Sequence, residues 1–162
     1  MTDRFKNDRR LDPRLVPLLE GLDQTMSKFS DVDSREAALE VVNSPEELMK
    51  AEGMKMMMEA ADDESVVPNA GLIIERKTID SAPDGNSVDM NFIRPDTDEM
   101  LPCVFYIHGG GMAFYSCFDG NYRAWGKMIA HQGLAVMMVD FRNCLSPSSA
   151  EEVAPFPAGL ND

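Results

Sequence analysis

One histidine and three glycines, His108-Gly109-Gly110-Gly111, follow an apolar run in the stretch VFYIHGGGMAFYSC. Glycine costs roughly 0.5–1 kcal/mol relative to alanine inside regular structure, so three in succession need a reason. Open α/β sheets place their ligands at the carboxyl ends of parallel strands. A glycine run there turns its N–H groups outward with no Cβ in the way, and converging N–H groups suit a negatively charged oxygen. Two chemistries want that: a phosphate cradle, or an oxyanion hole for acyl transfer. The phosphate reading fails on detail, because there is no Gly-x-Gly-x-x-Gly, no Lys-Ser/Thr after the glycines and no Walker sequence. A tight strand-to-loop turn needing positive φ would ordinarily use one glycine, so the oxyanion hole is the preferred reading.

Other reactive side chains have plainer roles. Cys117 or Cys144 with His131 would make a nucleophile pair, but nothing nearby in sequence lowers a thiol pKa, and inert thiols are expected. His131 reads as a helix C-terminal residue favoured by the dipole. Met54 and Met56–Met58 could line an acyl tunnel, and helix packing explains them equally well. Asp96, Asp98 and Glu99 lack calcium-loop spacing and read as an acidic turn. Asp119 is expected to cap the helix after the glycines, and Arg142 to anchor the following loop through a buried pair.

The scaffold around the glycines can be read from periodicity. Residues 1–65 read as helical. Asp12 and Pro13 start a first helix whose Leu15, Leu18, Leu19, Leu22, Met26 and Phe29 recur at helical spacing. Asp33 and Glu36 stand at capping-box spacing, and Ser44, Pro45 and Glu47 form a clearer start. From Gly71 the pattern turns extended. GLIIERKTID and NSVDMNFIRP flank SAPDGN, whose Asp84-Gly85 predicts the turn of an antiparallel hairpin. LPCVFYIH reads as a strand covered on both faces, 119–132 as a helix with Tyr122, Trp125, Met128 and Ile129 on one face, and LAVMMVDF as another buried strand. Strand, helix and strand predict a right-handed parallel crossover, so the class is α/β.

Bulk properties narrow the partners. The 162 residues allow one ordinary domain, and 44% hydrophobic composition is globular. A formal net charge of −13 argues against nucleic acid or an anionic membrane surface. The charged N-terminus is no secretory signal, and no apolar run approaches the ~18 residues of a membrane span. Three cysteines without metal-type spacing fit free thiols in a reducing cytoplasm. No metal or organic cofactor is implied.

HGGG after a strand, then a helix, a strand ending Asp140-Phe141-Arg142, and Pro155-Phe156-Pro157-Ala158-Gly159-Leu160-Asn161-Asp162 together resemble the hormone-sensitive-lipase-like esterases of the α/β-hydrolase fold. The likeness covers residues 70–162. The intervening NCLSPSSAEEVA departs from the family's Leu-Ala-Pro-Glu run. The resemblance implies the N-terminal half of an α/β-hydrolase: cap helices over 1–65, then over 66–162 a hairpin leading into a mostly parallel sheet. It implies that the N–H groups of Gly110 and Gly111 form the oxyanion hole. Gly109 would bend the loop, and His108 would orient it without serving as base; no acidic partner for His108 is evident in the sequence.

The family's triad runs Ser, Asp or Glu, then His, and the sequence contains no Gly-x-Ser-x-Gly. Nucleophile, acid and base are therefore expected beyond residue 162, on the C-terminal remainder of the hydrolase as a further segment or a separate chain, with this chain inactive alone. The strand VFYI would then show a bare apolar edge, and the chain is expected to need its complement. A serine carboxylesterase acting on small to medium acyl esters is the leading reading. A ligand-binding receptor on the same fold is the alternative; amidase and thioesterase activity, and a homodimer, stay open.

Overall fold

A computed structural model of the chain describes residues 8–17, 19, 31–82, 85–150 and 152–162. The chain divides into two compact units, residues 1–50 and 51–162.

In the first unit Asp12 begins a 3-10 turn over Pro13–Leu15 and accepts a hydrogen bond from the Arg14 N–H. Leu18, Leu22, Met26 and Phe29 of the expected stripe lie outside the described residues. Helix α1, Arg35–Val42, is capped by Ser34, whose hydroxyl accepts from the Ala37 N–H at 3.1 Å. The expected capping box at Asp33 is therefore displaced by one residue, the shorter hydroxyl side chain meeting the first orphan donors. Helix α2, Pro45–Glu59, starts where expected, with Ser44 Oγ accepting from the Glu47 N–H at 3.4 Å.

The second unit holds one four-stranded sheet in the order β1-β2-β4-β3. Strands β1 (Leu72–Asp80) and β2 (Ser87–Pro95) form the expected antiparallel hairpin. Gly85 sits in its turn at φ +70, while Asp84 lies outside the described residues. Strand β3 (Cys103–Ile107) runs parallel to β4 (Ala135–Asp140), joined by helix α3 (Gly120–Ala130), as the apolar-strand pattern predicts. A short helix α4, Ala158–Asn161, comes last.

Alternation along β2 and β4 sends side chains to two faces. One face buries Ile93, Val136 and Met138 with Cys117 and Ala130. The other gathers Val88, Met90, Val139 and Phe141, with Met112 and Met137 against them. Helix α3 meets the first face through small residues: a Cβ at Gly126 would come 2.7 Å from Met138 Sδ and 2.8 Å from Ile93 Cδ1. Its buried stripe runs through Gly120, Ala124, Lys127 and Ala130; of the face expected, Tyr122 and Ile129 pack against the first core cluster, whereas Trp125 and Met128 are exposed. The close approach of helix and sheet leaves little room for a side chain at Gly126.

Strand β3 also corrects its expectation. It is covered on one face only: Val104 and Tyr106 are part-buried, whereas Phe105 is 60% and Ile107 65% exposed on the side of Met137 and Val139. Among the described residues β4 is its one hydrogen-bonded neighbour, so β3 is one edge of the sheet, with β1 at the other.

An ionic clasp fixes the segment after α2 to α3. Lys127, 1% exposed, places Nζ 2.5 Å from Asp62 Oδ1 and 3.1 Å from Asn69 Oδ1. Arg123 reaches Asp62 and Glu59, each at 2.8 Å, and the carbonyl oxygen of Phe118. The Arg123 guanidinium holds Glu59 below its ordinary range. Burial pushes Asp62 up, but Lys127 and Arg123 together outweigh it and hold that carboxyl low. Removing one partner of a buried pair strands the other, so Lys127→Met is expected to cost about 3 kcal/mol in urea unfolding. Because both carboxylates are held low in the folded chain, the unfolded chain binds more protons in acid. The clasp's contribution is full near neutrality and drains as pH falls below about 4, and a melting series against pH reads this directly.

Candidate active site

His108 leaves the end of β3 and is buried at once, 4% exposed. Its ring stacks on Phe141, centroids 4.3 Å apart and planes 3° from parallel, and lies 5.5 Å from the Tyr122 ring. Nδ1 is 2.8 Å from the Gly109 carbonyl oxygen. A carbonyl only accepts, so Nδ1 carries the proton. Nε2 lies 3.6 Å from Asp140 Oδ1 and has no hydrogen-bond partner among the described residues. An acidic neighbour for His108 therefore exists, contrary to the sequence expectation; it comes from the end of the adjacent strand, 32 positions along the chain, where no local pattern shows it.

The glycines differ in what they need. Gly110 takes φ +115, and a Cβ there would lie 2.2 Å from the Phe114 carbonyl oxygen, a contact no side chain tolerates. Gly111, at φ +65, faces open space. A Cβ on Gly109 would come 3.0 Å from Tyr122 Oη. The Gly110 carbonyl accepts from the N–H groups of Ala113 and Phe114, closing a turn. Among the described residues the N–H groups of Gly110 and Gly111 donate to no partner.

The loop beyond is tied to the segment after β4. The Met112 and Ala113 carbonyls accept from the N–H groups of Cys144 and Ser146, each at 2.9 Å. Asn143 Nδ2 donates to the Tyr115 carbonyl at 2.7 Å. Asp140, 1% exposed, accepts from the Cys117 N–H at 2.7 Å on Oδ1 and from the Ser149 N–H at 2.6 Å on Oδ2. Burial, then the Asp140 charge, pushes the Cys117 thiol up, which makes it an inert core sulfur. Burial also raises Tyr122, against the pull of Asn121 and the Gly109 N–H.

Two further sequence expectations resolve here. Asp119 does stand at the N-cap of α3, but its side chain makes no capping bond there; Oδ2 accepts from the Ser116 N–H at 2.9 Å instead. Burial raises the Asp119 carboxyl, with the Ser116 N–H opposing. Arg142 does anchor the segment after β4: its guanidinium meets Asp162 Oδ1 at 2.6 Å, and its N–H donates to Oδ2 at 2.8 Å. Asn86 Nδ2 donates to the same carboxylate at 3.0 Å, so the β1–β2 turn, the segment after β4 and the last residue converge. His131 ends α3, with Nε2 2.9 Å from the Pro68 carbonyl oxygen and far from the glycines in sequence. Met56 and Met57 are exposed and Met58 is buried, a packing role for the last. Arg94 donates to the Thr97 and Glu99 carbonyls, so the 96–99 acidic turn is built around a cation. Among the described residues no group of His, Cys, Asp and Glu could hold a metal ion, and no helix is long and apolar enough to cross a membrane.

The sequence reading missed Asn143 and Tyr115, and gave Asp140 and Tyr122, which it named in a motif and on a helix face, no part in holding the loop. Asp140 is the one charged residue of β4, at the sheet's carboxyl end, and opens the Asp140-Phe141-Arg142 motif. Nothing in the sequence pointed to the loop role of the others.

A glycine loop with uncommitted donors at the end of a parallel strand, behind an antiparallel hairpin, is an α/β-hydrolase arrangement, and known proteins agree. No family model matches the sequence. The solved structure of esterase Est22 is 51% identical, with a TM-score of 0.87 over 96% of this chain and 44% of that one. Brefeldin A esterase, a bacterial homologue of human hormone-sensitive lipase, is 26% identical with a TM-score of 0.70 over 96% of this chain and 42% of its own. Gut esterase 1 of Caenorhabditis elegans is 40% identical over 53 residues, 33% of this chain and 9% of that protein. The chain thus spans less than half the length of the esterases it resembles. It has the fold of the N-terminal part of a hormone-sensitive-lipase-like α/β-hydrolase.

Two substitution sets test this geometry by thermal or urea unfolding. Gly111→Ala is expected to lose about 1–2 kcal/mol from its left-handed backbone alone. Gly110→Ala should lose more, about 3 kcal/mol, because a backbone clash is added. Asp140→Asn replaces one acceptor oxygen by a donor facing an N–H, at an expected cost of about 1–3 kcal/mol.

Proposed function

We propose that this chain supplies the oxyanion hole of a serine carboxylesterase acting on small to medium acyl esters. The observation that carries the reading is the pair of N–H groups at Gly110 and Gly111, neither engaged by a described residue, on a loop whose conformation only glycine permits at 110. As a nucleophile attacks the ester carbonyl, its oxygen gains negative charge. Two backbone donors that need not reorganise stabilise that charge, each typically by about 2.7–4 kcal/mol. Gly109 supplies the bend and His108 the anchor of the loop, buried between Phe141 and Tyr122. Residues 1–65 serve as cap and 66–162 as part of the hydrolase core.

In this reading the nucleophile, acid and base lie on a C-terminal segment, which would also pair with β3 and cover Phe105 and Ile107. The mechanism is acyl-enzyme formation and hydrolysis, needing no metal or organic cofactor. The free thiols Cys103, Cys117 and Cys144 fit a reducing cytoplasm. The names of the similar proteins favour an esterase over a receptor.

Complementation tests this. The 162-residue chain is co-expressed with the part of Est22 it does not cover, and p-nitrophenol release from p-nitrophenyl butyrate is followed. Turnover is expected from the pair and not from the chain alone. A pair that co-purifies yet hydrolyses no ester would sink the esterase reading.

A further inference from the structure

The loop after the glycines carries a second departure from easy backbone geometry. Tyr115 sits at φ +74, a left-handed conformation that a non-glycine residue adopts only when its surroundings impose it. Its carbonyl is held by Asn143, 0% exposed, whose Nδ2 donates to it at 2.7 Å. The other end of that amide, Oδ1, is buried with no partner among the described residues, so Asn143 is held for its single donor bond. The result is specific: the Tyr115 ring edge lies where a side chain on Gly110 would go, Cδ2 being 3.0 Å from that Cβ position. Tyr115 as a residue is 36% exposed, and its ring meets that of Phe114 at a centroid distance of 6.4 Å.

In the esterase reading a carbonyl oxygen would be held at Gly110, the residue whose Cβ position the Tyr115 ring edge adjoins. We propose that Tyr115 is a specificity-determining side chain of the ester site, its ring limiting the bulk of the acyl group beside Gly110, and that Asn143 is the positioning residue that holds it there. This rests on the esterase reading above and names its selectivity. Neither residue belongs to the motifs that carry the family resemblance, and Asn143 falls at the start of the stretch that departs from them.

The test is a double-mutant cycle read in two ways. In the complemented pair, kcat/KM is measured for p-nitrophenyl acetate and octanoate. Tyr115→Gly is expected to raise the octanoate-to-acetate ratio at least tenfold, since glycine removes the ring and accepts the same φ. Asn143→Leu, which leaves the ring present but unheld, should raise the ratio in the same direction, and should change it less than twofold in the Tyr115→Gly background. On the 162-residue chain itself, hydrogen–deuterium exchange of the peptide 108–117 should quicken about tenfold with Asn143→Leu and less than twofold when Tyr115 is already glycine. An unchanged ratio in an active Tyr115→Gly pair overturns the specificity role. Equal effects of Asn143→Leu in both backgrounds show an ordinary core residue and overturn the positioning role. If the wild-type pair binds but hydrolyses neither ester, the esterase reading is what fails, and with it the specificity role, while the exchange arm still decides between Asn143 and Tyr115 being coupled or independent.

Discussion

A buried carboxylate at the end of β4 holds three stretches of chain together. Asp140 accepts the Cys117 N–H on one oxygen and the Ser149 N–H on the other, and sits beside the His108 ring. A carboxylate this deeply buried is tolerable only when its oxygens are met by donors, and charge-assisted bonds of this kind are about twice as strong as neutral ones. The need is reciprocal. Cys117 ends the loop begun by the glycines, and Ser149 belongs to the irregular segment after β4; each gains a fixed point because β4 delivers a carboxylate at its carboxyl end. Withdraw that charge and the glycine loop keeps its entry, at His108, but loses its exit.

The same dependence explains how far the sequence could be read. The hairpin, the β3-α3-β4 unit and the glycine loop were legible because each is written in neighbours along the chain: alternation in β1 and β2, unbroken apolar runs in β3 and β4, consecutive glycines. What escaped was decided across the fold. The face of α3 that meets the sheet is set by how closely Gly126 lets Ile93 and Met138 approach, and this turns Trp125 and Met128 outward despite their hydrophobicity. Strand β3 has the composition of a fully buried strand and one bare face, since composition records what a strand can bury and not what is present to bury it. Asp119 has the right type and position for a cap, but the Ser116 N–H of the preceding turn claims its side chain.

The stretch that departs from the family pattern is instructive for a different reason. NCLSPSSAEEVA holds the glycine loop through the backbone N–H groups of Cys144 and Ser146, and ties itself to Asp140 through that of Ser149. Main-chain donors are supplied by any residue but proline, so side-chain identity there is largely free while the path of the chain is not. A motif comparison weighs such a stretch as a mismatch; in the fold it is a brace. Asn143 is the exception, the place where one side chain does what the backbone does elsewhere.

Strand β3 has another implication. Its last residue, Ile107, directly precedes His108, and among the described residues it is hydrogen-bonded along one flank only. The glycine loop therefore hangs from an edge strand of the sheet. A second strand laid along the open flank would fix β3 from both sides and sharpen the aim of positions 110 and 111 only a few residues away. Assembly and the proposed oxyanion hole would then share one free-energy term: whatever loosens the grip of that added neighbour would also blur the geometry at 110 and 111, with no change in either residue.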